Sequence, residues 1–390
     1  MHSYSRRLSW ASSANSFTRL VEEQRRAGAR LLDLTSANPT EVFDNYPHAE
    51  IQRAYARLDD FAYQPDPFGA QRARDVIADW YKRRGIHVSP EQLALTASTS
   101  EAYSLLFKLL CDPGDEVLVP APSYPLFEYL ARLESVEIVP YRLLYDGSWF
   151  VDFASVRAAI SARTRAIVAV NPNNPTGSFL KNHETEELLK IAREHSLPVI
   201  ADEVFMDYAF AGAADCTRTL IGSDGVLSFS LGGLSKSAGM PQMKLAWIVV
   251  NGGAEIRADA RERLELLLDT YLSVSTPVQN ALGELLTIGA GIARQIGARI
   301  ERNRAALESI LRNSPVHVLH AEAGWSAILQ LPNIWREEDW MAELITRRQV
   351  LVQPGYFFDM PSEPYAVVSL LTPEDVFAEG IERIRAATPD

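Results

Sequence analysis

The chain of 390 residues carries 38 Lys and Arg against 50 Asp and Glu, a net charge of −12, with 47% hydrophobic and 23% charged residues. That balance offers no sequence-independent attraction to phosphate backbones, so nucleic acid is not expected as a partner, and the length suits a globular protein of about two domains. No run approaches the ~18 apolar residues of a membrane span, the two cysteines Cys111 and Cys216 lack zinc or redox spacing, and the seven histidines are scattered.

The first twenty residues hold Arg6, Arg7 and Arg19 and no acid, a superficial likeness to an organelle transit peptide. No apolar secretory core follows, so the segment is read as an arm laid over the body or a partner subunit, with the protein in the cytoplasm. From about residue 69 to 250, strands are predicted at 93-LALT, 116-EVLVP, 166-AIVAVN, 198-PVIADE, 226-VLSFS and 245-LAWIVV. Amphipathic helices such as 100-SEAYSLLFKLL and 183-HETEELLKIAREH lie between them. Short apolar strands alternating with helices imply an α/β fold, a mainly parallel sheet covered on both faces. A long helix is predicted over about 275–312. Strand-like 317-HVLH, 325-WSAILQL, 350-VLVQ and 365-YAVVSLL then interleave with helical 337-EEDWMAELITRR and 374-EDVFAEGIERI, as in a smaller α+β domain. The expected division is an arm and part of the small domain in 1–45, a large domain in 46–290 and a small C-terminal domain in 291–390. No internal repeat or low-complexity tract is present.

Polar residues gather just after these strands, at Ser98 to Ser100, Asn171 to Thr176, Asp202, and Ser235 with Lys236. Ligands of such sheets bind outside the carboxyl ends of the strands, so one shared site is expected. The stretch 229-FSLGGLSKSAGMPQMK-244 admits three readings. It lacks the glycine frame of a phosphate-binding P-loop and the closing glycine of a nucleophile elbow. A lysine that condenses with an aldehyde cofactor is the third. A serine hydrolase using Ser235, or the SxxK at 178-SFLK-181, finds no oxyanion-hole motif and no partner histidine. Taken singly, 171-NPNNPTG-177 is a polar turn, Asp202 a strand-end carboxylate and Ser98 an N-cap.

In order and spacing, 33-DLTSANPT, 63-YQPDPFG, 96-TASTSEA, 121-APSYPLF, 171-NPNNPTG, 201-ADEVF, 233-GLSK and 354-PGYFF resemble the fold-type I pyridoxal-phosphate enzymes, specifically the class I/II aminotransferases. The resemblance spans nearly the whole chain. It implies an aspartate-aminotransferase-like fold with a seven-stranded large sheet, and transfer of an amino group between an amino donor and an oxo acid. It further implies that Lys236 holds the cofactor as an aldimine and shuttles a proton between substrate and cofactor. Asp202 would stabilise the protonated pyridine nitrogen, Asn174 would bond the ring's 3′-oxygen, and Tyr124 would stack on the ring. Ser98, Thr99, Ser100, Ser235 and Lys244 would hold the phosphate at a helix N-terminus. Tyr63 would reach the phosphate across a homodimer interface. The same scaffold also serves lyases, decarboxylases and racemases, and a non-catalytic relative could retain the pocket.

Four positions depart from the family pattern. Lys244 stands where arginine is common, and Gly233 where a phosphate-binding serine often stands. Phe205 replaces a tyrosine that bonds the 3′-oxygen, so the aldimine pKa is expected to be higher than in tyrosine-bearing relatives. Val367 replaces the arginine that clamps the substrate carboxylate, and no arginine lies between Pro354 and Glu382. An apolar side chain cannot bind a carboxylate, so another basic group or backbone donors must do so, or the substrate lacks an ordinary α-carboxylate.

Overall fold

The computed structural model describes residues 4–8, 15–58, 62–213, 215–360 and 364–388. In chain order the strands are β1 (Leu32–Asp33), β2 (Leu93–Thr96), β3 (Glu116–Ala121), β4 (Glu137–Tyr145), β5 (Trp149–Val151), β6 (Thr164–Val170), β7 (Val199–Asp202), β8 (Ser228–Gly233), β9 (Ala246–Asn251), β10 (His317–Val318), β11 (Ser326–Gln330), β12 (Val350–Leu351), β13 (Gln353–Pro354) and β14 (Tyr365–Ser369). Eight of them form the large sheet in the order β2-β9-β8-β7-β6-β3-β4-β5. Parallel pairing runs from β8 through β7, β6 and β3 to β4, and β9 is antiparallel to both of its neighbours. The six runs named from the sequence are β2, β3, β6, β7, β8 and β9; β4, not among them, makes the seven that the resemblance implies, and the eighth is β5, a three-residue antiparallel edge folded back on β4. It is too short for sequence periodicity to register.

Period-two alternation divides the buried side chains between the faces. Leu95, Trp247 and Val249 point to one side and pack with Leu285, Ile296, Leu329 and Phe377. Ala94, Ile248 and Val250 point to the other and pack with Phe107 and Leu264. The first cluster runs on into the smaller antiparallel sheet, ordered β10-β11-β14-β13. β1 pairs in parallel with β12, tying the N-terminal segment to the C-terminal one. No helix among the described residues is long and apolar enough to cross a membrane.

The longest helix, Thr276–Ile310, starts with proline in its first turn and runs past the expected boundary at 290 and 291. Its length brings it under the short helix Leu234–Ser237 that carries Lys236. At the crossing stands Gly289, where an added Cβ would collide with the Cβ of Ala238 and lie 2.8 Å from its Cα. Gly239, with φ +61°, adopts a left-handed conformation against Ile292 of the same helix. The backbone just beyond Lys236 is thus wedged against the long helix. Gly297, farther along that helix, would carry a Cβ with nothing within 4 Å of it.

Propensity alone favours alanine over glycine within a helix by about 1 kcal/mol. We predict that Gly297→Ala stabilises the protein by about that amount, whereas Gly289→Ala destabilises it by about 1–3 kcal/mol through overpacking. Denaturant unfolding of both variants checks this, and equal shifts would remove the proposed close approach.

Candidate active site

The parallel strands β6 and β7 end level with each other, and β8 runs two residues farther. Val170 of β6 is paired with Asp202 of β7, and Asp202 with Leu231 of β8. The segments leaving these strand ends therefore converge. After β6 comes the 171–177 turn, whose asparagines have different duties. Asn171 donates from Nδ2 to Thr217 O at 2.8 Å and accepts from Leu180 N at 2.9 Å. Asn173 donates to Ser123 Oγ at 3.3 Å and accepts from Thr176 Oγ1 at 3.0 Å. Both are buried and committed to holding the turn, whereas Asn174 is half-buried with its Oδ1 3.4 Å from Ser326 Oγ on β11. Gly177, at φ +66°, lets the turn abut Ala323, and Glu322 N donates to Gly177 O at 3.0 Å. This seats the loop that carries Trp325.

Asp202 and Lys236 share a water-poor space. The Lys236 amine lies 4.6 Å from the Trp325 ring centroid and 5.3 Å from that of Phe205. Trp325 packs edge-on against Phe205 and Tyr208, with centroids 5.4 and 5.1 Å apart. Tyr208 also donates its hydroxyl to Lys236 O at 2.6 Å. Burial lowers the Lys236 pKa to about 8, a shift opposed by the charge of Asp202. Burial raises Asp202 to about 6, against the pull of the Val204 N–H, the Tyr103 hydroxyl and the Lys236 charge. The two hydrogen bonds are 3.3 Å from Val204 N to Oδ1 and 3.1 Å from the Tyr103 hydroxyl to Oδ2. The next residue, Glu203, is buried on a separate network of Leu220 N, Thr219 Oγ1 and Ser230 Oγ, and burial raises it to about 7.

The remaining candidates divide by what ties them to this centre. Tyr124 follows β3, and its hydroxyl pKa is raised by burial and then by the charge of Asp202. Ser98 caps the helix Thr99–Leu110, accepting from Glu101 N at 3.1 Å, and Thr99 and Ser100 open its first turn. Ser235 is half-buried beside Lys236. Lys244 is exposed, in a left-handed conformation at φ +50°. Tyr63 is 71% exposed and lines a cleft with Ser273 and Thr276 whose lining includes neither Lys236 nor Asp202.

The departures have structural reasons or consequences. A Cβ at Gly233 would lie 2.9 Å from the Cβ of Ala246 and one at Gly232 2.5 Å from Trp247 Nε1, so neighbours on β9 fill the space a serine would need. Val367 is 1% exposed and packs with Trp149, Ile328, Phe358 and Met360. Between Arg348 and Arg383 the sequence has neither lysine nor arginine, so β13 and β14 bring no cation to the site. Tyr103, Trp325 and Tyr208 escaped sequence reasoning because each sits in a pattern that core packing already accounts for. No cluster of three His, Cys, Asp or Glu side chains among the described residues is arranged to hold a metal.

The donor set suits a phosphorylated aldehyde. A desolvated amine can attack a carbonyl, an adjacent buried carboxylate can face a cationic ring nitrogen, and a hydroxyl-rich helix N-terminus can receive a phosphate. Comparison with known proteins agrees with this chemistry. The sequence pattern of the family described as aminotransferase class I and II matches residues 30–383. Among curated proteins, the glutamate-pyruvate aminotransferase AlaA of Escherichia coli is 28% identical over 369 residues, covering 92% of this chain and 89% of its own. Human tyrosine aminotransferase is 27% identical, covering 91% and 80%. Among solved structures, the alanine aminotransferase of Pyrococcus furiosus superposes with a TM-score of 0.88 at 26% identity, over 98% of this chain and 99% of that one. The chain belongs to the class I and II aminotransferases, pyridoxal-phosphate enzymes of the aspartate-aminotransferase-like fold that move an amino group between an amino donor and an oxo acid.

Proposed function

We propose that Lys236 is the catalytic base of the amino transfer and the anchor of the cofactor, with Asp202 opposite the ring nitrogen. The observation that carries this is a desolvated amine, beside the Phe205 and Trp325 rings, and a desolvated carboxylate that follow neighbouring parallel strands and feel each other's charge. Pyridoxal phosphate, when bound, supplies the carbonyl and the electron-withdrawing ring. Each surrounding group has its own task. Asn174 would hold the 3′-oxygen, and Tyr124 would cover a ring face. Ser98, Thr99, Ser100 and Ser235 would bind the phosphate with Lys244 adding charge. The lowered pKa of Lys236 lets its amine accept a proton near neutral pH, and Phe205 and Trp325 keep bulk water from it. Tyr208, by binding Lys236 O, holds the lysine's backbone in place.

The exposure of Tyr63 supports a homodimer in which it reaches the second copy's phosphate site. The pairing of β1 with β12 supports grouping residues 1–45 with the smaller domain of 291–390, around a large domain of 46–290. Free thiols at Cys111 and Cys216 are compatible with the cytoplasm. Glutamate with pyruvate, and tyrosine, named for two relatives, are the first substrates to assay.

Lys236→Ala is expected to lower transamination by roughly 10³-fold or more and to remove the cofactor's lysine-linked visible band. Activity and spectrum within twofold of the parent would refute the assignment. Phe205→Tyr adds a donor to the enclosure, and the pH midpoint of the bound chromophore is expected to fall. A midpoint that stays or rises in a spectrophotometric titration would contradict the role given to position 205.

A further inference from the structure

Asp202 depends on few donors. Its Oδ1 accepts a long bond from Val204 N at 3.3 Å, and its Oδ2 accepts the Tyr103 hydroxyl at 3.1 Å. Both Asp202 and Tyr103 are almost fully buried, at 8% and 2% exposed. The Tyr103 ring is fixed by Phe127 and Phe107, with centroids 5.2 and 5.9 Å away. Its hydroxyl therefore has little freedom to leave the carboxylate. Burial and the facing carboxylate keep the phenol protonated, so it stays a donor across the working pH range. A carboxylate oxygen has room for a second donor beside a first, so the phenol leaves capacity for a ring N–H.

Tyr103 lies in the first half of the helix Thr99–Leu110, the helix capped by Ser98. One rigid element thus carries, at its N-terminus, the hydroxyls proposed for the phosphate and, a turn later, the donor to the carboxylate proposed for the ring nitrogen. We propose that Tyr103 is a positioning residue for Asp202, holding the carboxylate ionised and aimed, so that this single helix sets both ends of the cofactor site. This rests on the reading of Asp202 given above. The other charged or titratable groups facing Asp202 are Lys236 from the helix after β8 and the Tyr124 hydroxyl after β3, with Glu203 next along the chain. Lys236 favours the ionised carboxylate, whereas Tyr124 takes no hydrogen bond to it among the described contacts. Removing the Tyr103 donor therefore leaves burial to push Asp202 upward, toward the neutral acid that cannot balance a cationic ring.

Tyr103→Phe in the holoenzyme keeps the ring contacts and deletes only the hydroxyl. The acid limb of kcat/KM is expected to move up by about one pH unit, and the cofactor dissociation constant from equilibrium dialysis to rise about tenfold. An acid limb and a dissociation constant both unchanged would overturn the proposal, whatever happens to thermal stability. Should that variant not fold, 3-fluorotyrosine at position 103, a stronger donor of the same shape, is expected to move the limb downward, and an unmoved limb would again overturn it. Asp202→Asn tests the underlying reading separately. If it leaves activity and cofactor affinity intact, the role of Asp202 fails, whereas a large loss there with no effect at Tyr103 removes only this inference.

Discussion

The site depends on two opposite charges placed where neither is well solvated. Burial raises Asp202 to about 6 and lowers Lys236 to about 8. The folded protein therefore loses stability as pH rises from the ordinary carboxylate range through about 6. It also loses stability as pH falls from the ordinary lysine range through about 8. Near neutral pH both penalties act together, offset in part by mutual attraction and by the Tyr103 and Val204 donors. An amine that is readily deprotonated and a carboxylate that seeks a cation are what aldehyde and pyridine chemistry need. The instability and the reactivity have one origin.

The rest of the architecture holds that pair in register. The register of β7 with β8 sets Asp202 opposite Leu231, two residues before β8 ends. The long helix presses through Gly289 on Ala238, two residues beyond Lys236, and fixes the backbone from below. The asparagine turn, braced by Asn171 and Asn173, seats the loop that lays Trp325 over the amine. A residue of the smaller sheet's loop thus completes the desolvation of a lysine on the larger one.

Much of this was legible in the sequence because strand-end chemistry is local. The run 198-PVIADE ends in a carboxylate, and 226-VLSFS is followed within ten residues by Ser235 and Lys236, so β7, β8 and their polar ends could be named together. Through-space partners were not legible. Tyr103 occupies an apolar-phase position of TSEAYSLLFKLL and reads as core, and its bond to Asp202 joins residues 99 positions apart. Trp325 precedes an apolar strand and looks like another buried aromatic. β5, at three residues, gave no period to detect. Tyr63 illustrates a different limit, since its expected target lies on another copy of the chain and one protomer leaves it exposed.

At Val367 the family pattern and the packing part company. Its side chain completes an apolar cluster with Trp149 and Ile328, and the neighbouring strands carry no lysine or arginine. These strands therefore offer no cation to a substrate carboxylate, while Lys236 and Asp202 are the groups proposed for the amine chemistry. The most direct test of that centre is the pH dependence of Lys236 acylation in cofactor-free protein, with a trace reagent and quantitation of the labelled peptide. Desolvation beside Asp202 predicts half-maximal reactivity near pH 8. A midpoint in the ordinary lysine range, about 10.5, would contradict it.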